Sequence, residues 1–329
     1  MIMPSDLRSD PEDIEVRGIL RDDRRKKIRS RVGVLVSLYF ERGWEQAKRS
    51  AVRQCLEEYI SIPGNKLNHY KMPNDTFLRK WDRFGIPQSY PNIDDVGEND
   101  DLYYYMIESR REERDDPSLW LFIAFGFGAD NVRRRLSGLK AYFAPSYLYA
   151  DPDRFVDLIR RWAGRLQAAH GSGGLGVLSI PGAETVEDAY YYPWLTQYPG
   201  LEYDAMGDYF SESWKDEGYK RPRSSNWLTV LGADNVAALG GREAIEARLT
   251  PGMQLIPCGQ GVLVRASPLP TLGDAANGGI PEGYRTIARI IKPIRFEGYQ
   301  YSIIKLPPEL NTGREGRLAE TLKWIRRFD

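Results

Sequence analysis

Residues 31–40, Arg-Val-Gly-Val-Leu-Val-Ser-Leu-Tyr-Phe, narrow what this chain can fold into more than any other segment. They are apolar and rich in β-branched side chains, which predicts a strand inside a core. Directly after them Ala47, Ala51, Val52, Cys55, Leu56 and Tyr59 recur at intervals of three and four, the stripe of an amphipathic helix. The same pair returns later in the opposite order. Asp151 is placed to cap a helix with Pro152 at its first position, and Phe155, Leu158, Ile159, Trp162 and Leu166 share one face. Gly173-Gly174 then leads into a strand over 175–180.

Two further strands are predicted at 102–107 and 119–127, joined by the charged link 110–117 as an antiparallel hairpin. In the last third, 227–231 reads as a strand and 242–249 as a short helix. Residues 253–256 and 262–266 form a hairpin around Gly259-Gln260-Gly261. Tyr284, Ile287, Ala288 and Ile291 mark a helix that Pro293 stops. Helices mixed with hairpins predict an α+β fold of mixed, largely antiparallel sheets with packed helices. The expected organisation is a charged extension over 1–30, one domain over 31–296 and a C-terminal extension over 297–329. A strand–helix echo suggests two layers within the domain, 31–183 and 184–296.

Lysine plus arginine and aspartate plus glutamate balance at 46 each in the 329 residues, so no global field asks for nucleic acid. Any charge-based recognition must be local. Residues 1–27 lack the apolar core of a signal peptide, and the longest apolar run, 118–127, is too short to cross a bilayer. Cys55 and Cys258 are the two cysteines, and Cys55 sits on a helix stripe, as a buried reduced thiol would. A soluble cytoplasmic protein is expected, with no cofactor and no membrane or direct nucleic-acid partner.

Several short patterns have the letters of catalytic motifs without their context. Gly171-x-Gly173-x-x-Gly176 follows a helix and opens a strand, the reverse of a dinucleotide loop. Ser302-Ile303-Ile304-Lys305 matches S-x-x-K, but the stretch reads as a strand, where these positions face opposite ways. The two histidines, His69 and His170, have no motif partners, and surface or capping roles are expected for both. The pairs Asp94/Asp95, Asp100/Asp101 and Asp115/Asp116 lack the spacing of a calcium loop. The basic run 24–31 reads as a solvated linker. No catalytic or metal set emerges.

Residues 184–217 are different. Glu187, Asp188, Asp204, Asp208 and Glu212 lie among Tyr190, Tyr191, Tyr192, Trp194, Tyr203, Tyr209 and Trp214, with Lys215 the single basic residue. Residues 92–116 are a smaller acidic companion. Aromatic anchors ringed by carboxylates suit the capture of a basic protein, because tyrosine and tryptophan dominate hot spots and charge speeds encounter. Equally, such aromatics fill cores while the acids face water. Both readings stand at this point.

The run Asn226-Trp227-Leu228-Thr229-x-Leu231-Gly232, with Leu239-Gly240-Gly241, Pro270-x-x-Gly273-Asp274, Tyr284-Arg285 and 292–296 (Lys-Pro-Ile-Arg-Phe), resembles the C-terminal signature of the type VI secretion immunity proteins. This is the TsiV-like family, formerly a domain of unknown function. Leu38-Tyr39-Phe40 and Glu57-Glu58-Tyr59 are similar to its opening. The resemblance implies a non-enzymatic inhibitor that occludes the active site of a cognate type VI effector toxin, often a nuclease, inside the producing cell. It offers no catalytic residues. The partner-binding candidates are the twelve residues of 187–214 named above. The alternative is a pocket-bearing enzyme acting on a small molecule, which needs a deep pocket with converging titratable groups.

Overall fold

The β-branched run 31–40 becomes the heart of the longest strand, and the rest of the sheet grows outward from it. A computed structural model describes residues 7–21, 28–109, 117–131, 136–180, 184–213, 215–304, 306–310 and 313–329, and the side chains of 184–190, 215 and 216 lie outside that description. The strands are β1 (Ile19–Arg21), β2 (Ile28–Glu41), β3 (His69–Tyr70), β4 (Arg79–Lys80), β5 (Leu102–Ile107), β6 (Leu121–Gly126), β7 (Leu136–Phe143), β8 (His170–Leu178), β9 (Leu228–Leu231), β10 (Gln254–Cys258) and β11 (Gly261–Arg265). They make one sheet in the order β10-β11-β9-β8-β2-β7-β6-β5-β3-β4, with β1 beside the start of β2. All pairings between these strands are antiparallel. The α+β expectation holds, and one continuous sheet runs through both expected layers.

The helices are α1 (Pro11–Arg17), α2 (Gln46–Ile60), α3 (Pro145–Ala150), α4 (Pro152–Leu166), α5 (Glu184–Gln197), α6 (Met206–Glu212), α7 (Ala233–Ala238), α8 (Arg242–Glu246), α9 (Glu282–Ile291) and α10 (Gly313–Ile325). Two short 3-10 turns matter below, Ile93–Asp95 and Lys215–Lys220. Asp151 caps α4 by accepting from the Arg154 N–H at 3.0 Å, as its sequence predicts.

Strand periodicity sorts β2 onto two faces. Val32, Val34, Val36, Leu38 and Phe40 point to the layer of α2 and α4, where the Tyr59 ring packs among Phe122, Phe143, Trp120 and Trp162. Each such aromatic removes about 150–250 Å² from water, so this layer is the main hydrophobic core. Cys55 is fully buried there, and burial pushes its thiol up to about 12, which leaves it unreactive. Leu35, Ser37 and Tyr39 point the other way, toward residues 199–226 and the chain end. Trp324, Ile325 and Phe328 are buried in the same core.

Some expectations are displaced. β8 begins at His170, so the glycine pattern lies inside a strand instead of at a turn. At Gly174 φ is +155°, and a Cβ would stand 2.4 Å from Asn226 Oδ1. The glycines answer to close packing and not to a phosphate. Residues 301–304 are not a strand, because Ser302 turns back to bond the Ile304 carbonyl and the Thr321 hydroxyl. β7 and α10 had no clear periodic signal.

Candidate partner-binding site

On the second face of β2 the polar residues are buried together. The Tyr39 hydroxyl meets both carboxylate oxygens of Asp204, at 2.7 and 2.8 Å. Arg223 Nη1 donates to Asp204 Oδ1 at 3.2 Å, and its guanidinium lies 5.1 Å from the Tyr209 ring centre and 5.6 Å from that of Tyr39. Lys140 Nζ donates to the Asp204 carbonyl at 3.0 Å. Glu202 accepts from Ser224 Oγ and Asn226 Nδ2 and faces Arg223 and Arg327 at 3.8 and 3.6 Å. Arg327 Nε in turn donates to the Pro199 carbonyl at 2.8 Å. The network ties 199–226 and the chain end to the sheet.

Burial penalises every charge in this set, and the partners decide the outcome. Burial pushes the Asp204 carboxyl up, but Arg223, Lys140 and the Tyr39 hydroxyl outweigh it and hold it below the ordinary range. Burial lowers Arg327 to about 10 even with Glu202 opposed to it. His170, expected at the surface, is instead 2% exposed and stacked on Tyr39 at 4.9 Å. Its Nε2 lies 2.9 Å from the Tyr219 carbonyl, which can only accept, so Nε2 carries the proton. Burial and the nearby Arg223 charge bring this imidazole down to about 3, and it is neutral at pH 7.

The expected acidic-aromatic surface is therefore corrected for much of its length. Tyr191, Tyr192, Trp194, Tyr203 and Tyr209 are core residues, and Asp204 is a buried ion-pair partner. Of the two readings weighed for these aromatics, filling the core is the one the structure shows. The cause is that 199–226 covers a sheet face already carrying Tyr39 and Lys140. The side chains of Glu187, Asp188 and Tyr190, and the whole of Trp214, lie outside the described residues. Asp208 and Glu212 remain partly exposed on α6, where Glu212 accepts from the Gln300 and Tyr301 N–H groups at 2.8 and 2.9 Å.

Those remaining acids meet the smaller acidic segment at one end of the sheet. The antiparallel registers bring there the ends of β2, β6, β9 and β10 and the starts of β5, β7, β8 and β11. Asp94, Asp95, Glu98, Asp100 and Asp101 are all exposed in the loop before β5. Arg49 holds this loop from beneath through the Val96 and Asp100 carbonyls. The carboxylates bond to an amide and to N–H groups: Asp94 to Gln46, Asp100 to Gly97, Asp101 to Gly128. Their negative charge therefore stays open to solvent. Beside Gly128, the Phe127 ring packs on Phe210 of α6 at 5.4 Å, which links the two acidic segments. Arg133, Arg134 and Arg135 belong to the connection between β6 and β7 and lie outside the described residues.

The same rim holds an open cleft of about 150 Å³ lined by Glu41, Gln167, Lys220, Asp234, Asn235 and Gln260, among others. Drug-sized ligands usually occupy about 300–1,000 Å³. Where titratable groups converge, at Tyr39, His170 and Arg223, the space is only about 10 Å³. That holds about one water molecule. Among the described residues no group of three or more His, Cys, Asp or Glu is arranged to hold a metal ion, and no helix is long and apolar enough to cross a membrane.

A family profile described as type VI immunity for VRR-NUC matches residues 51–328. The chain belongs to the TsiV family. The Pseudomonas aeruginosa T6SS protein PA0821 shares the fold, with a TM-score of 0.78 at 21% identity, over 95% of this chain and 87% of that one. No curated protein sequence matches significantly. The residues by which the TsiV resemblance was drawn are scaffold. Trp227 is fully buried, stacks near Phe155 and donates from Nε1 to the Ser267 carbonyl at 2.7 Å. Gly232 passes so near β8 that a Cβ would stand 2.6 Å from the Ala168 carbonyl oxygen. Arg295 bonds Glu297 and Asp329, closing the chain end onto α9. The TsiV signature thus builds the wall of the cleft and the floor of the core, while the exposed acids lie outside it.

Proposed function

We propose that this TsiV chain is an immunity protein that binds a VRR-NUC nuclease toxin in the cytoplasm of the producing cell and occludes its active site. Family membership carries the immunity role. The acidic rim supports the occlusion: a nuclease groove is built to hold phosphates, so it presents positive charge that carboxylates, as phosphate mimics, can engage and block. The contact surface is the rim formed by Asp94, Asp95, Glu98, Asp100 and Asp101 together with Asp208 and Glu212. No described residue is assigned a catalytic role. The test is co-expression with a VRR-NUC nuclease toxin from the same organism, followed by co-purification and a DNA-cleavage assay. Stoichiometric complex formation with loss of cleavage is expected. Cleavage that persists in an intact complex would rule out occlusion, and failure to bind would rule out the partner.

A further inference from the structure

The acidic rim supplies long-range attraction, but affinity needs an anchor, a side chain seated in a pocket. The 150 Å³ cleft is such a pocket on the same rim. Resting on the reading above, we propose that this cleft receives the guanidinium of one arginine from the nuclease.

The cleft's size suits a single long side chain, not a cofactor. Its lining is rich in acceptors and net acidic. Glu41 and Asp234 contribute carboxylates, and Gln167 and Gln260 contribute amide groups. Lys220, a cation of the lining, is already committed, lying 3.2 Å from Glu217 and 3.7 Å from Glu41, and Lys48 donates to the Gln167 amide oxygen from behind at 3.0 Å. Asp234, at the exposed start of α7, is the open carboxylate. A planar guanidinium with five donors fits several acceptors in one site better than a compact ammonium does.

The walls are preset. Asn235 Nδ2 donates at 2.8 Å to both the Ala169 and Lys220 carbonyls, and the Gly232 N–H donates to the Ala169 carbonyl at 2.9 Å. The backbone and the Asn235 side chain that form the cleft wall therefore do not have to be ordered when a partner arrives, which lowers the entropic cost of binding.

The probe is argininamide, titrated into the full-length protein labelled with ¹⁵N, with acetate at equal ionic strength as the anionic control. Saturable shifts are expected at the Gly232, Asn235 and Gly261 amides with argininamide alone. Asp234→Lys, on an exposed first turn, should weaken them about tenfold, whereas Glu243→Lys on α8 should not. Shifts spread over the whole rim, or equal saturation in Asp234→Lys, overturn the cleft assignment. With that VRR-NUC nuclease as second probe, the two readings separate. Undiminished nuclease binding by Asp234→Lys removes the cleft and leaves immunity standing. Argininamide binding without nuclease capture removes the toxin as the partner.

Discussion

The hydroxyl of Tyr39 lies within 2.8 Å of both carboxylate oxygens of Asp204, 165 residues away in the chain. Asp204 is thereby bound to the central strand by the same contact that takes it out of reach of any partner. Its charge is useful only inside. Asp204→Ala or Arg223→Met deprives the other buried charge of its nearest ionic partner, which costs about 3–5 kcal/mol. Urea unfolding should show that loss as a lower midpoint with an unchanged slope. A binding defect in either variant reports instability and not a lost contact.

Stability should fall on mild acidification. The unfolded His170 binds a proton near its ordinary 6.5, while the folded side chain, at about 3, does not. The unfolded state thus binds more protons between these values, and stability is lost as pH drops from 6.5 toward 3. The slope is at most about 1.4 kcal/mol per pH unit. His170→Gln should flatten the profile of unfolding free energy against pH in that window. A profile equally steep in the variant would show that His170 is not its source.

Reversing the exposed acids should affect binding and spare the fold. Asp94→Lys with Glu98→Lys removes field, not packing, since both residues are exposed. Association with the nuclease should slow about tenfold at low salt, with the difference shrinking as salt screens it. Stopped-flow association at two ionic strengths measures this, and the melting temperature should stay within a degree or two of the parent. Tyr191→Ala, by contrast, opens a cavity and should cost about 3–5 kcal/mol.

Gly232→Ala tests the signature itself. The new methyl would stand 2.6 Å from the Ala168 carbonyl oxygen and 2.7 Å from that of Ala169, both backbone atoms, so the lead-in to β8 and the end of β9 must part. A loss of about 1–3 kcal/mol is expected, the range for overpacking a tight site. Thermal unfolding reads it directly. An unchanged midpoint would mean that the cleft wall is softer than it looks.

Local periodicity was enough to locate β2, α2, the β5–β6 hairpin, α4, the β10–β11 hairpin and α9, because each carries its own alternation or stripe. β7 escaped, since Leu136–Phe143 includes Ser137, Gly138 and Lys140, residues that read as surface until Met206 and Asp204 are placed over them. The site was harder for the same reason. Nothing local distinguishes Asp204, which pairs with Arg223 inside, from Asp208 four residues later, which stays partly exposed. Burial is decided by which sheet face the segment covers, and that is a long-range fact. Only the rim acids 94–101 could be read from the sequence as solvated, because the segment carries no apolar stripe to bury them.

The position of β2 at the centre of the sheet also sets an order of events. Both of its long neighbours, β7 and β8, come much later in the chain, so beyond its first residues, which β1 pairs, this apolar strand has no ladder partner until they have been synthesised. Such non-local pairing slows folding and leaves a sticky edge open meanwhile. On the proposed function, a cell that makes the toxin must keep its nascent TsiV chain from aggregating before that chain can protect anything.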